Sequence, residues 1–288
     1  MVRPKMPPEG DHAFGLMEKP SPGHFPGDKG CACSRPAPLN KPTGWIDSLI
    51  NLFFPERCLF CSEILPFPNR EPLCPACRER YRPGGRICPH CEGLFRKEPD
   101  CTCLAEDSPL LGLFVIALYD SHWRRLIHDF KYKNRRAVLR PLAGWLAGEI
   151  VNSNYCRPDL VVPVPLHPRR EKERGYNQAA LLARHTARVL RIPFCNLLAR
   201  DMDTRSQTSV SRYERYENVR GAFKSLPGEY RGKSILLLDD VYSTGSTMKE
   251  AALALKGYGA RVYGAAIAYN PNLKALQRSG FYAGLDNW

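Results

Sequence analysis

Ile235-Leu-Leu-Leu-Asp-Asp-Val-Tyr-Ser-Thr-Gly-Ser-Thr247 decides how the rest of this 288-residue chain is read. Four consecutive apolar residues predict a buried strand. Asp239 and Asp240 stand at its C-terminal end, the edge at which open α/β sheets bind ligands. A turn of small and hydroxyl residues, Ser243, Thr244, Gly245, Ser246 and Thr247, then leads into a predicted helix over 246–256. Such a turn offers backbone N–H groups and hydroxyls to a phosphate, and the helix dipole favours the anion. Gly245 lets the backbone approach closely. Two carboxylates beside a phosphate cradle repel the ligand unless they grip hydroxyls or a metal. A ribose 5-phosphate satisfies both halves: the diol goes to the acids and the phosphate to the turn. No Walker A pattern is present, and Gly257-Tyr-Gly259 lacks the third glycine of a dinucleotide fingerprint.

Outward from this stretch, strands and helices alternate. Asp159-Leu-Val-Val-Pro-Val-Pro165 is a buried-strand pattern, 121–150 is Arg-rich and helical, 176–190 is helical, and Ala260–Ala268 reads as the next strand. This alternation predicts an α/β domain with a mostly parallel sheet. Residues 200–220 are polar and poorly periodic and read as a mobile loop. The domains expected are a disordered leader at 1–44, a short helix with a cysteine-rich unit at 45–108, the α/β domain at 109–272 and a tail at 273–288. The leader holds 9 Pro and 6 Gly, and its Cys31-x-Cys33 is a weak metal signal. Within 45–54, Trp45, Ile46, Leu49, Ile50, Leu52, Phe53 and Phe54 fit an amphipathic helix, expected to dock on the rest of the protein rather than on a membrane.

Hydrophobic residues make up 43% and charged residues 25%, enough for a packed core and far from a disordered or collagen-like composition. The longest apolar run, Leu110–Tyr119, is too short to span a bilayer, and no apolar segment follows Met1 as in a secretory signal. A cytoplasmic protein is expected. The net charge is +13, and it is carried by 109–288, with 28 basic against 15 acidic residues. A basic globular domain points to phosphate ligands or nucleic acid, with a solvated basic surface as the plain alternative.

Eight of the twelve cysteines lie between 58 and 103: Cys58-x-x-Cys61, Cys74-x-x-Cys77, Cys88-x-x-Cys91 and Cys101-x-Cys103. Each C-x-x-C puts two thiolates on one tight knuckle, and two knuckles complete a tetrahedral zinc site. The segment is poor in large apolar residues, so metal would supply folding energy that a core cannot. Disulfides compete with this reading, but a chain without a secretory signal is expected to stay reduced. The 58/61/74/77 set is the stronger site; the 88/91/101/103 set ends in a shortened C-x-C. One or two structural zincs are expected. Cys156 and Cys195 read as core residues.

The 235–247 stretch resembles the phosphoribosyl pyrophosphate (PRPP) motif of type I phosphoribosyltransferases: four hydrophobics, two acids, two hydrophobics, then small hydroxyl residues around a glycine. Only Tyr242 departs from the usual aliphatic. Val162-Pro-Val-Pro-Leu-His-Pro-Arg-Arg170, Arg174-Gly-Tyr-Asn-Gln178 and Gln207 through Arg215-Tyr-Glu-Asn-Val-Arg-Gly-Ala-Phe223 resemble the ComF/GntX family. The order of parts is similar too: short helix, cysteine knuckles, the basic Leu126-Ile-His-Asp-Phe-Lys-Tyr132 segment, then the transferase-like domain. The resemblance covers about 45–270 and implies a double zinc ribbon ahead of a type I phosphoribosyltransferase fold.

The resemblance implies the following roles. Asp239 and Asp240 hold the ribose hydroxyls, with Mg²⁺ spanning the pyrophosphate and ribose oxygens of PRPP. Val241 and Tyr242 pack beneath, and Ser243 to Thr247 cradle the 5-phosphate. Pro165, Leu166, His167, Arg169, Arg170 and Arg174 form the pyrophosphate loop, Arg174 foremost because it stands in the Arg-Gly-Tyr-Asn-Gln signature. His167 reads equally well as a loop-packing residue, and Asn177 and Gln178 as caps of the following helix. Residues 201–220 are a hood, whose Arg205, Arg212 and Arg215 face the leaving pyrophosphate. No acceptor base or amidase segment is recognisable.

Two functions follow. In one, the protein is a DNA-uptake factor of natural competence that binds PRPP and handles single-stranded DNA at the inner face of the membrane. Aromatics interleaved with basic residues favour it, as in Trp123-Arg-Arg125, Phe130-Lys-Tyr-Lys133 and Arg212-Tyr-Glu-Arg-Tyr216. Against this, Trp123, Phe130 and Tyr132 fit core positions of an amphipathic helix equally well. In the other, the chain transfers ribose 5-phosphate from PRPP to a base or amine. A zinc-ribbon adaptor with a vestigial transferase fold is a weaker third reading.

Overall fold

The computed structural model describes residues 33–34, 45–67, 73–81, 84–95, 108–133, 138–202 and 219–271. Cys101, Cys103, Arg205, Arg212, Arg215, most of the expected leader and hood, and the tail at 273–288 lie outside the described residues.

The elements are β1 (Cys33–Ser34), α1 (Trp45–Phe53), α2 (Pro75–Tyr81), β2 (Gly85–Ile87), β3 (Leu94–Phe95), β4 (Leu113–Leu118), α3 (Ser121–Tyr132), α4 (Leu139–Asn152), β5 (Leu160–Pro163), α5 (Pro168–Arg174), α6 (Gln178–Leu190), β6 (Phe194–Cys195), β7 (Leu198–Arg200), β8 (Phe223–Ser225), β9 (Ser234–Tyr242), α7 (Ser246–Lys256) and β10 (Arg261–Tyr269). The main sheet runs β1-β6-β5-β9-β10-β4-β2-β3. From β6 to β4 all pairings are parallel; β1 and the β2–β3 hairpin add antiparallel strands at the two edges. β7 and β8 form a separate antiparallel pair. This is the α/β phosphoribosyltransferase-like architecture, with the cysteine segment running on into the sheet through β2.

β9 is central because its sequence can be buried on both faces. Leu236 and Leu238 pack on one side with α3, α4 and α6 residues such as Phe130, Leu146 and Leu182. Ile235 and Leu237 pack on the other with Tyr230, Met248 and Leu255. Period-2 alternation thus sends successive leucines into different layers, and only beyond Leu238 does the strand emerge, half-buried, with Asp239 and Asp240.

The Arg-rich stretch at 121–150 is two helices rather than one, α3 and α4. Asp120 caps α3 by accepting from the backbone N–H groups of His122 and Trp123, both at 2.8 Å. Trp123, Leu126, Ile127 and Phe130 then recur at helical spacing and are all buried. Trp123 and Phe130 are therefore core residues, whereas Tyr132 is 61% exposed. The expectation for α1 needs correction. Leu49, Ile50, Leu52, Phe53 and Phe54 are exposed, so these residues do not dock on the described part of the chain. Cys195, expected as an ordinary core thiol, is buried but disulfide-bonded, and its strand pairs with Cys33–Ser34. No helix among the described residues is long and apolar enough to cross a membrane.

Candidate functional site

Asp239 and Asp240 sit at the C-terminal end of β9, beside the ends of β5 and β10. The Asp240 N–H donates to Asp239 Oδ1 at 2.8 Å. Burial pushes the Asp239 carboxyl up to about 7, and the neighbouring Asp240 charge pushes the same way; that N–H, Lys131 and Arg200 oppose them. Asp240 has a partner that the sequence pattern did not point to. Lys131, in the last turn of α3, places its ammonium 2.8 Å from Asp240 Oδ2. Burial works to neutralise Lys131, but Asp240 and then Asp239 keep it charged, and its pKa is raised overall.

The turn after the strand is built on Gly245. Its φ is +73°, in the left-handed region, and a Cβ there would stand 2.2 Å from the Tyr242 hydroxyl oxygen. Tyr242 itself is buried against Tyr269, ring centroids 6.0 Å apart. The aromatic that departs from the usual motif thus fills the space that a side chain at 245 would need. Thr244 Oγ1 lies 2.8 Å from Ser246 Oγ and accepts from the Ser246 N–H at 3.4 Å. The N-cap of α7, Gly245, has no side chain to cap it, and Thr244 takes only the N–H of Ser246. A helix start of this kind can receive an anion on the N–H groups that follow.

The segment expected as a pyrophosphate loop is a short loop, Pro165 to His167, followed by α5. His167 is the N-cap of that helix, its Nδ1 accepting from the Arg169 N–H at 3.3 Å. Arg169 pairs with Glu173 one turn on, in an exposed i,i+4 contact at 3.1 Å. Arg170 is half-buried in the same first turn. Arg174 ends the helix and stands over the Tyr132 ring at 5.3 Å. It donates to Tyr132 Oη and to Gln178 Oε1, both at 3.3 Å. Asn177 caps α6 through the Ala180 N–H and donates to the Val164 carbonyl at 3.0 Å. The signature residues thus tie the 165–178 segment to the end of α3.

The second cluster is Cys58, Cys61, Cys74 and Cys77, whose sulfurs all lie within 4.8 Å of one another. Cys61 and Cys74 Sγ are 3.6 Å apart, close to the ~3.8 Å edge of a tetrahedron with Zn–S near 2.3 Å. The four thiols therefore fit a tetrahedral soft-metal site. The first knuckle closes through Ser62 N–H to Cys58 O at 2.9 Å and Cys58 N–H to Glu63 O at 2.8 Å. The Cys88–Cys91 knuckle, outside this cluster, repeats that backbone: Glu92 N–H to Cys88 O at 2.8 Å and Cys88 N–H to Gly93 O at 3.0 Å. Both turns pass through a left-handed residue, Ser62 at φ 63° and Glu92 at φ 60°. Burial works against ionisation of Cys58, but backbone N–H groups of Cys61, Cys74 and Phe60 hold its thiol down at about 7. Burial and its three fellow thiols push Cys77 up. Without a cation only part of the cluster ionises readily.

The segment from 177 to 287, which includes the acidic pair and the turn, matches the model of the phosphoribosyl transferase domain. Competence protein F of Haemophilus influenzae is 30% identical over 216 residues, 72% of this chain and 93% of that protein. The chain belongs to this competence and DNA-utilisation family, the ComF family. DNA utilization protein YhgH of Escherichia coli K12 is 31% identical over 217 residues, covering 73% of this chain and 94% of that protein. Competence protein ComFC of Bacillus subtilis is 27% identical over 202 residues, 67% and 82% of the two chains. In ComF terms, Lys131 and Arg200 are what sequence reasoning missed. In the sequence Lys131 is one member of a basic run with no motif of its own. Arg200, 9% exposed on β7, fell at the start of a segment read as loop.

Proposed function

We propose that this ComF protein binds PRPP with Mg²⁺ at the end of β9 and acts on incoming single-stranded DNA in uptake or utilisation. The observation that carries the reading is the junction at 239–247. Two carboxylates at a strand end stand next to a glycine turn and a helix whose N-cap is that glycine. Asp239 and Asp240 would take the ribose hydroxyls, Ser243 to Thr247 the 5-phosphate, and Arg174 the pyrophosphate end. When bound, Mg²⁺ neutralises pyrophosphate oxygens, keeping several waters and few protein ligands. Zinc would sit on Cys58, Cys61, Cys74 and Cys77, and a second ion on Cys88 and Cys91 with Cys101 and Cys103.

Support for a nucleic-acid partner is the basic α/β part and the family's link to DNA utilisation. Among the aromatics of α3 it narrows to Tyr132, the exposed one, flanked by exposed Arg124, Arg125, His128 and Lys133. A base would stack on this ring in place of His128, 4.8 Å away, or of Arg174, and such stacking contributes about 1–3 kcal/mol. A second reading, transfer of ribose 5-phosphate to a base or amine, is favoured by the intact acidic pair. Displacement at the anomeric carbon would release pyrophosphate as positive charge builds on the ring.

Calorimetric titration of PRPP and Mg²⁺ into the wild type and an Asp239→Asn/Asp240→Asn double variant tests the site. Saturable binding to the wild type with at least tenfold loss in the variant is expected. No binding to folded, zinc-loaded wild type would remove the PRPP reading. Pyrophosphate release dependent on an acceptor would turn the conclusion to the transferase.

A further inference from the structure

We propose that Lys131 is a ligand-binding residue of this site: it holds Asp240 while the site is empty and turns to the pyrophosphate oxygens when PRPP and Mg²⁺ enter. The inference rests on the ribose-phosphate reading above and adds to it a cation from outside the motif.

Three observations carry it. First, the placement is built. Tyr176 donates its hydroxyl to the Phe130 carbonyl, and Gln178 Nε2 donates to the Lys131 carbonyl at 3.5 Å. Arg174 lies over Tyr132 and hydrogen-bonds its hydroxyl. Three residues of the Arg-Gly-Tyr-Asn-Gln signature thus grip three consecutive residues at the end of α3, with Lys131 in the middle. The buried stripe of Trp123, Leu126, Ile127 and Phe130 fixes the rotation of the helix. That rotation, with the clamp, aims the Lys131 side chain at the end of β9.

Second, the neighbouring cation makes its contacts to neutral groups, whereas Lys131 faces the acidic pair itself. Arg174, the arginine foremost by motif, spends its Nη groups on Gln178 and Tyr132. Lys131 presents three N–H donors on a compact head group, and its contact is to Asp240. One donor can stay on the carboxylate while the others meet a phosphate. Arg174 keeps its remaining N–H groups for a phosphate, so Lys131 would add a second cation at the pyrophosphate end rather than replace the first.

Third, the pair is a poor choice for stability alone. Lys131 side-chain exposure is 24% and that of Asp240 is 14%, so both charges are largely withdrawn from water. Desolvation of such a pair commonly offsets its attraction. An ammonium held next to an acidic pair, at the mouth of an anion cradle, is arranged for a ligand with negative charge. The diol would displace it from Asp240 only in part, and a pyrophosphate would give it a stronger partner.

The test uses the full zinc-loaded chain and two ligands, Mg²⁺-PRPP and ribose 5-phosphate, titrated into the wild type, Lys131→Met, Lys131→Gln and Lys131→Arg. Both neutral variants keep a long side chain; whichever retains the wild-type melting profile and zinc content is the one read. The neutral variant is expected to bind PRPP at least tenfold more weakly and ribose 5-phosphate within threefold of wild type, with Lys131→Arg recovering part of the loss. Unchanged PRPP affinity overturns the proposal. So does an equal loss for both ligands, which would make Lys131 a positioning residue for Asp240 alone. A wild type that binds neither ligand removes the ribose-phosphate reading and this proposal with it, an outcome distinct from the other two.

Discussion

The four-cysteine cluster and the acidic pair each bring like groups together, and they relieve the crowding differently. In the cluster, four thiols converge within 4.8 Å, and the surrounding backbone already favours one thiolate, at Cys58. A tetrahedral cation would satisfy all four and would tie two turns into one body. That site gains stability from being filled. In the acidic pair, one carboxylate is given a lysine from a helix more than a hundred residues away in sequence, while the other is pushed towards its neutral form. That site is less stable empty than an apolar strand end would be. The contrast is between a cluster whose crowding a metal would relieve and a carboxylate pair whose crowding is relieved by a lysine and a retained proton.

The largest effect expected from breaking this contrast is in the cluster. Cys74→Ser removes a buried thiol that stands 3.6 Å from Cys61 Sγ in the cluster. It should cost one zinc per chain and leave 45–81 open to proteolysis, because structural zinc contributes about 10–16 kcal/mol to a small metal-folded unit. Metal analysis and limited proteolysis read it; retained zinc with normal protection would show that the thiols hold together without metal. Cys88→Ser in the same assay asks whether the second knuckle carries its own ion.

A smaller effect is expected at the turn. Gly245→Ala places a methyl group against Tyr242 at a positive φ and should destabilise the chain by about 1–3 kcal/mol in urea unfolding. Tyr242→Val in the same chain should return part of it, because the ring that the methyl meets is gone. No recovery would locate the strain in the backbone alone.

The smallest effect has the opposite sign. Asp239 keeps a proton in the folded state up to about pH 7 that the unfolded chain releases near the ordinary carboxylate value. Its contribution to stability is therefore fully present at low pH and falls as pH rises from about 4 through 7. Asp239→Asn should raise the melting temperature of the empty protein by a few degrees at pH 8 and by less at pH 5, while under the proposed function it would weaken PRPP binding. A lower melting temperature at pH 8 would mean that the ionised carboxylate is well satisfied and the contrast with the cysteines false.

Much of this was legible in the chain. The strand at 235–240, the helix at 246–256 and the knuckles are local patterns, and the structure has them within a residue or two. The Leu110–Tyr119 run was read only as too short for a bilayer. It contains β4, because an all-apolar strand buried on both faces has no alternation to announce it. Lys131 could not be found that way. Its role depends on α3 crossing to β9, and on Tyr176 and Gln178 reaching back over forty residues to hold it. His167, placed by motif in the pyrophosphate loop, also caps α5, and Asn177 caps α6 as its position before that helix suggests. Hydrogen-bonding side chains in a loop look the same in sequence whether they serve ligand or backbone.

The β2–β3 hairpin has a practical consequence for anyone who wishes to cut this protein in two. β2 covers the outer edge of β4, pairing Gly85, Arg86 and Ile87 with Val115, Phe114 and Leu113. A fragment that starts at 109 would leave Leu-Phe-Val-Ile-Ala-Leu as a bare sheet edge, six apolar residues without a charge or a proline. Such a segment templates intermolecular stacking. The hairpin is thus a gatekeeper against aggregation, and the shortest soluble fragment keeps it.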